Sequence, residues 1–270
     1  MEPILTVVSA SWNQGRYFEE CLRSLEGIDP DDIEHVVVDN CSDDSTHDIL
    51  NRHPKIRAII EPDKGQSEAL NKGFRAARGE WILWLNVDDY LLPSALAELC
   101  GIIRSEGSDL DMIYGHMVFV DDESRKIRTI YQPVWRHWMS EIGVYVAPST
   151  GSLFRRKLLV ENALNEDFHM IMDTEWMLRV GRSLRVRRLN REVVAFRVAD
   201  NKTAEHINSG TLTSRHREER ILLAKRYPTY GYRSETGKGL LFHSGLWVLR
   251  KVLRVWILAD KAVCKLQNRQ

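Results

Sequence analysis

The 270 residues hold no CxxC pair, no GxGxxG turn, no GxxxxGKS/T loop and no uncharged apolar run of about 18 residues. Each absence removes a class. The four cysteines, Cys21, Cys41, Cys100 and Cys264, are widely scattered, which argues against a zinc site or a disulfide framework and suits a reducing cytoplasm. Without a Gly-rich turn after the first strand or a P-loop, the NAD and P-loop readings lose their main signature. No stretch is apolar enough for a bilayer-spanning helix. The opening MEPILTVVSAS has no basic start and only a short apolar run, so it reads as a first strand rather than a signal peptide. Lysine plus arginine, 38, balances aspartate plus glutamate, 38. That balance gives no global field for nucleic acid, and none is expected as a partner. The charge is uneven, however, with Arg and Lys gathered from His206 onward.

What is present is organised around Gly79–Pro93, GEWILWLNVDDYLLP. An apolar run from Trp81 ends in Asn86, and then Asp88 and Asp89 stand side by side. Adjacent carboxylates repel and need a cation or several donors to stay ionised together. A buried strand that delivers them at its C-terminal end puts them where open α/β sheets bind ligands. Magnesium, which takes one or two carboxylates plus phosphate oxygens, would suit them. A surface turn or helix N-cap is the plainer reading, and the pair alone does not choose.

The rest of the chain supplies a frame. ILTVVSA at Ile4–Ala10 and IEHVVVD at Ile33–Asp39 read as buried strands, with a helix over Tyr17–Leu25 between them. A helix over His47–Arg52, a strand IRAII and a helix over Gln66–Arg78, stopped by Gly79, precede the Trp81 strand. This alternation implies a parallel sheet with right-handed crossovers. Beyond the acid pair, Ser94–Ile103 is an amphipathic helix, and Asp111–Val120 with Arg125–Tyr131 reads as a hairpin. Trp135–Val146 is aromatic and irregular, Lys157–Asn162 a short helix, and Arg185–Val198 one or two strands. Asp173 and Glu175 fall in the first turn of a helix, where the dipole favours negative charge with or without a catalytic role.

As an ordered set, these elements resemble an inverting, family 2 glycosyltransferase with a GT-A fold. The resemblance is carried by TVVSASWNQGRYFEECLRSL, VVVDNCSDDST, EPDKGQSEALNKGFRAARGEWILWLNVDDYLLP, PSTGSLFRR and MDTEWMLR, and it spans roughly residues 4–203. It implies an α/β, Rossmann-like, mixed and mostly parallel central sheet flanked by helices, with a helical C-terminal extension. The catalytic domain would be residues 1–205, its nucleotide-binding half about 1–115 and its acceptor half about 116–205, and the extension 206–270.

The resemblance also implies roles. Ser9 and Asp39 would hold base and ribose, although Asp39 also suits an Asx turn. Lys64, Gly65 and Asn71 would line the nucleotide pocket; Gly65 equally serves a turn and Lys64 a solvated surface. Asp88 would contact the ribose, and Asp89 would coordinate Mg2+ or Mn2+ bridging the diphosphate of a nucleotide-sugar donor, a UDP-sugar. Asp173 matches the catalytic base, and Thr150, Gly151, Trp135, Trp138 and Glu175 would border the sugar and acceptor. For either Trp, core packing is the competing reading.

Two departures stand out. Asn86 replaces the first acid of the usual pattern, and Ala199 stands where many relatives carry a metal-binding His, with His206 seven residues on. They motivate a second reading, a nucleotide-sugar-binding relative without turnover. A metal-dependent nucleotidyltransferase ranks lower, because SASWNQGRYFE supplies one Gly and one Arg for a triphosphate. Leu240–Leu266 is a basic amphipathic stretch with Trp247 and Trp256. It suits either packing on the catalytic domain or peripheral contact with the inner face of a membrane, beside a glycan or lipid-linked acceptor.

Overall fold

The computed structural model describes residues 2–27, 32–141, 148–198 and 214–227, with positions 252, 255, 258–260 and 262 farther on. Ala199, His206, Trp247 and Trp256 lie outside the described residues, as does most of Leu240–Leu266.

β1 (Leu5–Ser11), β2 (Ile33–Asp39), β3 (Arg57–Ile60) and β4 (Trp81–Trp84) form a parallel set in the order β3-β2-β1-β4. Their crossovers are α1 (Gly15–Arg23), α2 (Thr46–Arg52) and α3 (Gln66–Ala76). Strands covered on both faces read as continuous apolar runs, and alternate residues sort into two cores. Leu5, Val7, Val37 and Leu83 join Phe18, Ile49 and Leu99 on one side. Val8, Ile82 and Trp84 join Leu70, Phe74 and Trp176 on the other.

After β4 the chain makes a short strand, β5 (Tyr90–Leu91), then α4 (Ala95–Glu106), β6 (Met112–Val120) and β7 (Lys126–Ile130). α5 (His137–Glu141), β8 (Ser152–Arg155), α6 (Arg156–Glu161), α7 (Met172–Val180), β9 (Val186–Arg197) and α8 (Ser214–Arg226) follow. β8 runs antiparallel between β4 and the first residues of β6. β7 takes the rest of that edge, and β9 pairs parallel along the other. Arg185–Val198 is thus one long strand, and its last residues pair antiparallel with β5. That pairing brings Arg197 under the turn that carries Asp88 and Asp89.

Candidate active site

The parallel strands end together, with Ser11 opposite Asp39 and Asp39 opposite Ile60. Asp39 is buried and closes a turn, accepting from the Ser42 amide at 2.8 Å and the Ser42 hydroxyl at 2.6 Å, while His47 Nε2 lies 2.9 Å away. The turn reading of Asp39 therefore holds, on the same sheet edge where a nucleotide base would lie. Ser9 does not reach that edge. Its buried hydroxyl donates to the Leu85 carbonyl and lies 2.9 Å from His35 Nε2. Burial lowers the His35 pKa to about 4, so the ring is neutral and Nε2–H donates to Ser9. Ser9 is a strut within the sheet.

Gly65 caps α3 with φ of +144°, and a Cβ there would stand 2.6 Å from His169 Nδ1. Glycine is required here by conformation and by the approach of His169. Lys64 beside it is exposed. Asn71 is elsewhere engaged: its amide donates to Leu164 O at 2.9 Å and Glu166 Oε1 at 3.1 Å, and its oxygen accepts from Leu164 N at 2.8 Å. It ties α3 to the segment leading toward α7, with both polar atoms of its side chain committed there. Ser67 does the same, donating to Phe168 O at 2.7 Å.

The acid pair is asymmetric. Asp89 is 1% exposed; its Oδ2 accepts from Thr150 Oγ1 at 2.7 Å and its Oδ1 from the Arg197 amide at 3.0 Å. Burial, then the charge of Asp88, raises its pKa well above the ordinary carboxylate range. Asp88 retains 9% exposure and accepts from Gln14 Nε2 at 2.9 Å. Asp89, the expected metal ligand, thus receives one donor on each oxygen, and Asp88 is the member of the pair nearer solvent. Asn86 is bridged by Gln66 Nε2 at 3.0 Å and Trp84 Nε1 at 3.3 Å, both to Oδ1.

Beneath the pair lies Arg197, 0% exposed. Its Nε donates to Asp88 O at 3.1 Å and Nη1 to the carbonyls of Asp121 and Asp122 at 2.8 and 3.0 Å. Nη2 pairs with Glu20 and Ser124, and the guanidinium stacks 4.3 Å from the Tyr17 ring centre. Sequence reasoning missed this residue. The signal was present as an arginine ending an apolar strand, VVAFRV.

Thr150 connects the pair to the second acid. The neighbouring Ser149 Oγ donates to Asp173 Oδ2 at 3.4 Å, so adjacent residues of one turn touch Asp89 and Asp173. Gly151, with φ of +73°, permits this: its amide donates to Trp84 O at 2.7 Å, and a Cβ there would stand 2.3 Å from Val194 Cβ. Asp173 is half-buried at the start of α7 and accepts from Thr174 N at 2.6 Å. Burial raises its pKa, in the direction a general base near neutrality needs. Glu175 lies apart. It is buried, paired with Arg179 at 3.0 Å and accepting from Tyr227 OH at 2.6 Å, so an acceptor role is replaced by a helix-packing one. Trp135 is a core residue against Gly181, whereas Trp138 is 40% exposed.

No group of three His, Cys, Asp or Glu side chains able to hold a metal occurs among the described residues. The acid pair still fits Mg2+ or Mn2+ held by one or two carboxylates, with phosphate and water oxygens completing the shell. A closed protein cage it is not.

The fold matches that of solved GT-A glycosyltransferases. S. aureus TarS residues 1–349, crystallised with UDP-GlcNAc, superposes with a TM-score of 0.61 at 20% identity, covering 83% of this chain and 66% of that one. The mannosyltransferase PcManGT from Pyrobaculum calidifontis, in complex with GDP-Man and Mn2+, gives 0.55 at 18% identity over 100% of this chain and 89% of that one. The profile of glycosyl transferase family 2 matches residues 6–180, and the chain belongs to that family. An uncharacterized glycosyltransferase of Nostoc is 29% identical over 46% of this chain and 39% of its own length. The putative teichuronic acid biosynthesis glycosyltransferase TuaG of Bacillus subtilis is 31% identical over 33% of this chain and 37% of its own. In both cases the match spans well under half of the relative.

Proposed function

We propose that this chain transfers a sugar from a nucleotide-sugar donor, UDP-linked, to a hydroxyl of a glycan or lipid-linked acceptor, with inversion. The observation that carries the reading is the pair of adjacent contacts, Thr150 to Asp89 and Ser149 to Asp173, which brings the acid pair beside a carboxylate of raised pKa. Asp39 would receive the base at the sheet edge, and the Asp88–Asp89 pair would hold the divalent ion with the diphosphate. When bound, that ion neutralises charge developing on the departing diphosphate. Asp173 accepts the proton of the acceptor hydroxyl as its oxygen attacks the anomeric carbon. The new C–O bond forms on the face opposite the one that breaks, and the electron pair leaves with the nucleoside diphosphate.

The decisive assay is nucleotide release from UDP-GlcNAc, UDP-glucose and GDP-mannose with Mn2+, beside Asp88→Asn and Asp173→Asn. Losing the base is expected to cost about 10²–10⁴-fold. Equal release by wild type and both variants would reject the mechanism. Binding without release by the wild type, across donors and acceptor extracts, would favour the reading without turnover. A membrane-facing role for the basic C-terminal stretch is tested by pelleting with anionic vesicles after replacing Arg250, Lys251 and Arg254 by Gln; unchanged pelleting rejects it.

A further inference from the structure

The family profile ends at residue 180, yet α8, beyond it, grips the helix that carries Asp173. Glu219 is 5% exposed and its carboxylate accepts three consecutive amides: His169 at 3.0 Å, Met170 at 2.9 Å and Ile171 at 3.2 Å. These residues lead directly into α7, whose N-cap, Ile171, has no side chain able to satisfy the helix start. Charge-assisted bonds to backbone N–H groups are roughly twice as strong as neutral ones. Three on one carboxylate fix the path of the chain two residues before Asp173. Arg215 Nε, 3.3 Å from Glu219, holds the carboxylate from its own helix. One turn beyond, Leu223 is fully buried against the α7 core, and Tyr227 OH reaches Glu175.

The same grip reaches the start of α3. His169, whose amide Glu219 holds, is the residue that stands against Gly65. Glu219 therefore fixes one short segment that abuts the start of α3 at Gly65 and leads into α7.

We propose that Glu219 is a positioning residue for the reaction: it acts through the backbone of 169–171 to hold Asp173 in line with the donor. The inference rests on the reading of Asp173 as the base. A displacement of about 1 Å from such a geometry costs about 10²-fold in rate, whereas donor contacts at Asp39 and Asp88 are untouched by α8.

The test compares the full-length wild type with Glu219→Ala, Glu219→Gln and Glu219→Asp. Two readouts are needed: nucleotide release from the donor panel above, and amide hydrogen exchange of peptides covering residues 165–175. Glu219→Ala is expected to lower kcat about 10²-fold with KM for the donor within about twofold, and to speed exchange only at 169–175. Glu219→Gln, which keeps the volume and one acceptor oxygen, should lose about tenfold, and Glu219→Asp should recover part of the rate. Unchanged exchange and kcat in Glu219→Ala and Glu219→Gln would overturn the proposal. So would equal losses of donor binding and rate accompanied by faster exchange throughout the sheet, the mark of a merely structural residue. If Asp173→Asn is fully active, the underlying mechanism fails instead. Exchange at 169–171 then still reports whether Glu219 holds that backbone.

Discussion

Arg197→Lys isolates what a buried guanidinium does for the acid turn. The backbone amide that donates to Asp89 survives the change, and so does a positive charge near Glu20. What disappears is the fork that serves Asp88 O, Asp121 O and Asp122 O together, with Ser124 and the stacking on Tyr17. A lysine ammonium has three donors on a flexible stem and cannot span acceptors from separate segments. A buried acceptor left without a partner costs about 1–3 kcal/mol, and breaking a buried ion pair costs about 3–5 kcal/mol. With the charge retained and some carbonyls taken up by water, the expected loss is about 3 kcal/mol. In urea, with a slope of about 3 kcal/mol/M for a domain of this size, the midpoint should fall by about 1 M at unchanged slope. Metal-dependent binding of UDP should weaken in parallel, because Asp88 loses its support from below. A midpoint shift under about 0.3 M, with UDP affinity intact, would refute the role.

Asp173→Asn should be slower yet more stable. Burial raises the Asp173 pKa in the folded protein, so the folded state binds that proton more tightly than the unfolded chain. The stabilisation is complete below the unfolded value of about 3.9 and is lost as pH rises through the folded one. Asparagine removes the neutral-pH penalty, so the variant should melt higher than wild type near neutrality, with the gap closing toward about pH 4; a gap independent of pH contradicts this. The wild-type rate should correspondingly rise with pH through a value above the ordinary carboxylate range. Gly151→Ala meets both a left-handed φ and the Val194 Cβ, so a loss of about 2–4 kcal/mol is expected by chemical denaturation. Val194→Ala should rescue only part, since its Cβ remains. Chelation should abolish nucleotide release and added Mn2+ restore it; full activity in excess EDTA would remove the metal from the mechanism.

The parallel half was legible because its physics is local. VVSA, HVVVD and WILW are apolar runs that only strands buried on both faces sustain, and the helices between them carry their own spacing. The second half was less so. Tyr90–Leu91 is too short to announce a strand, and it exists because β9 arrives from far along the chain to pair with it. The same arrival decides the fate of Arg197, whose acceptors come from two separate loops and a helix. Ser9 and Asn71 stand at motif positions, but which way a side chain turns depends on partners such as Leu85 and Leu164 that spacing does not reveal. Glu175 showed the limit of the helix-dipole argument: its position in the first turn was right for a carboxylate, and of its two partners one, Arg179, is on its own helix and the other, Tyr227, lies past the end of α8.

Ser149 and Thr150 are neighbours, so their Cα atoms are separated by one trans peptide, about 3.8 Å. Thr150 is fastened to the acid turn and Ser149 to Asp173. The interval between the acid turn and Asp173, the two ends of the proposed chemistry, is therefore gauged by a covalent unit. An insertion between these two residues would move the two halves of the chemistry out of reach of each other while sparing the fold on either side.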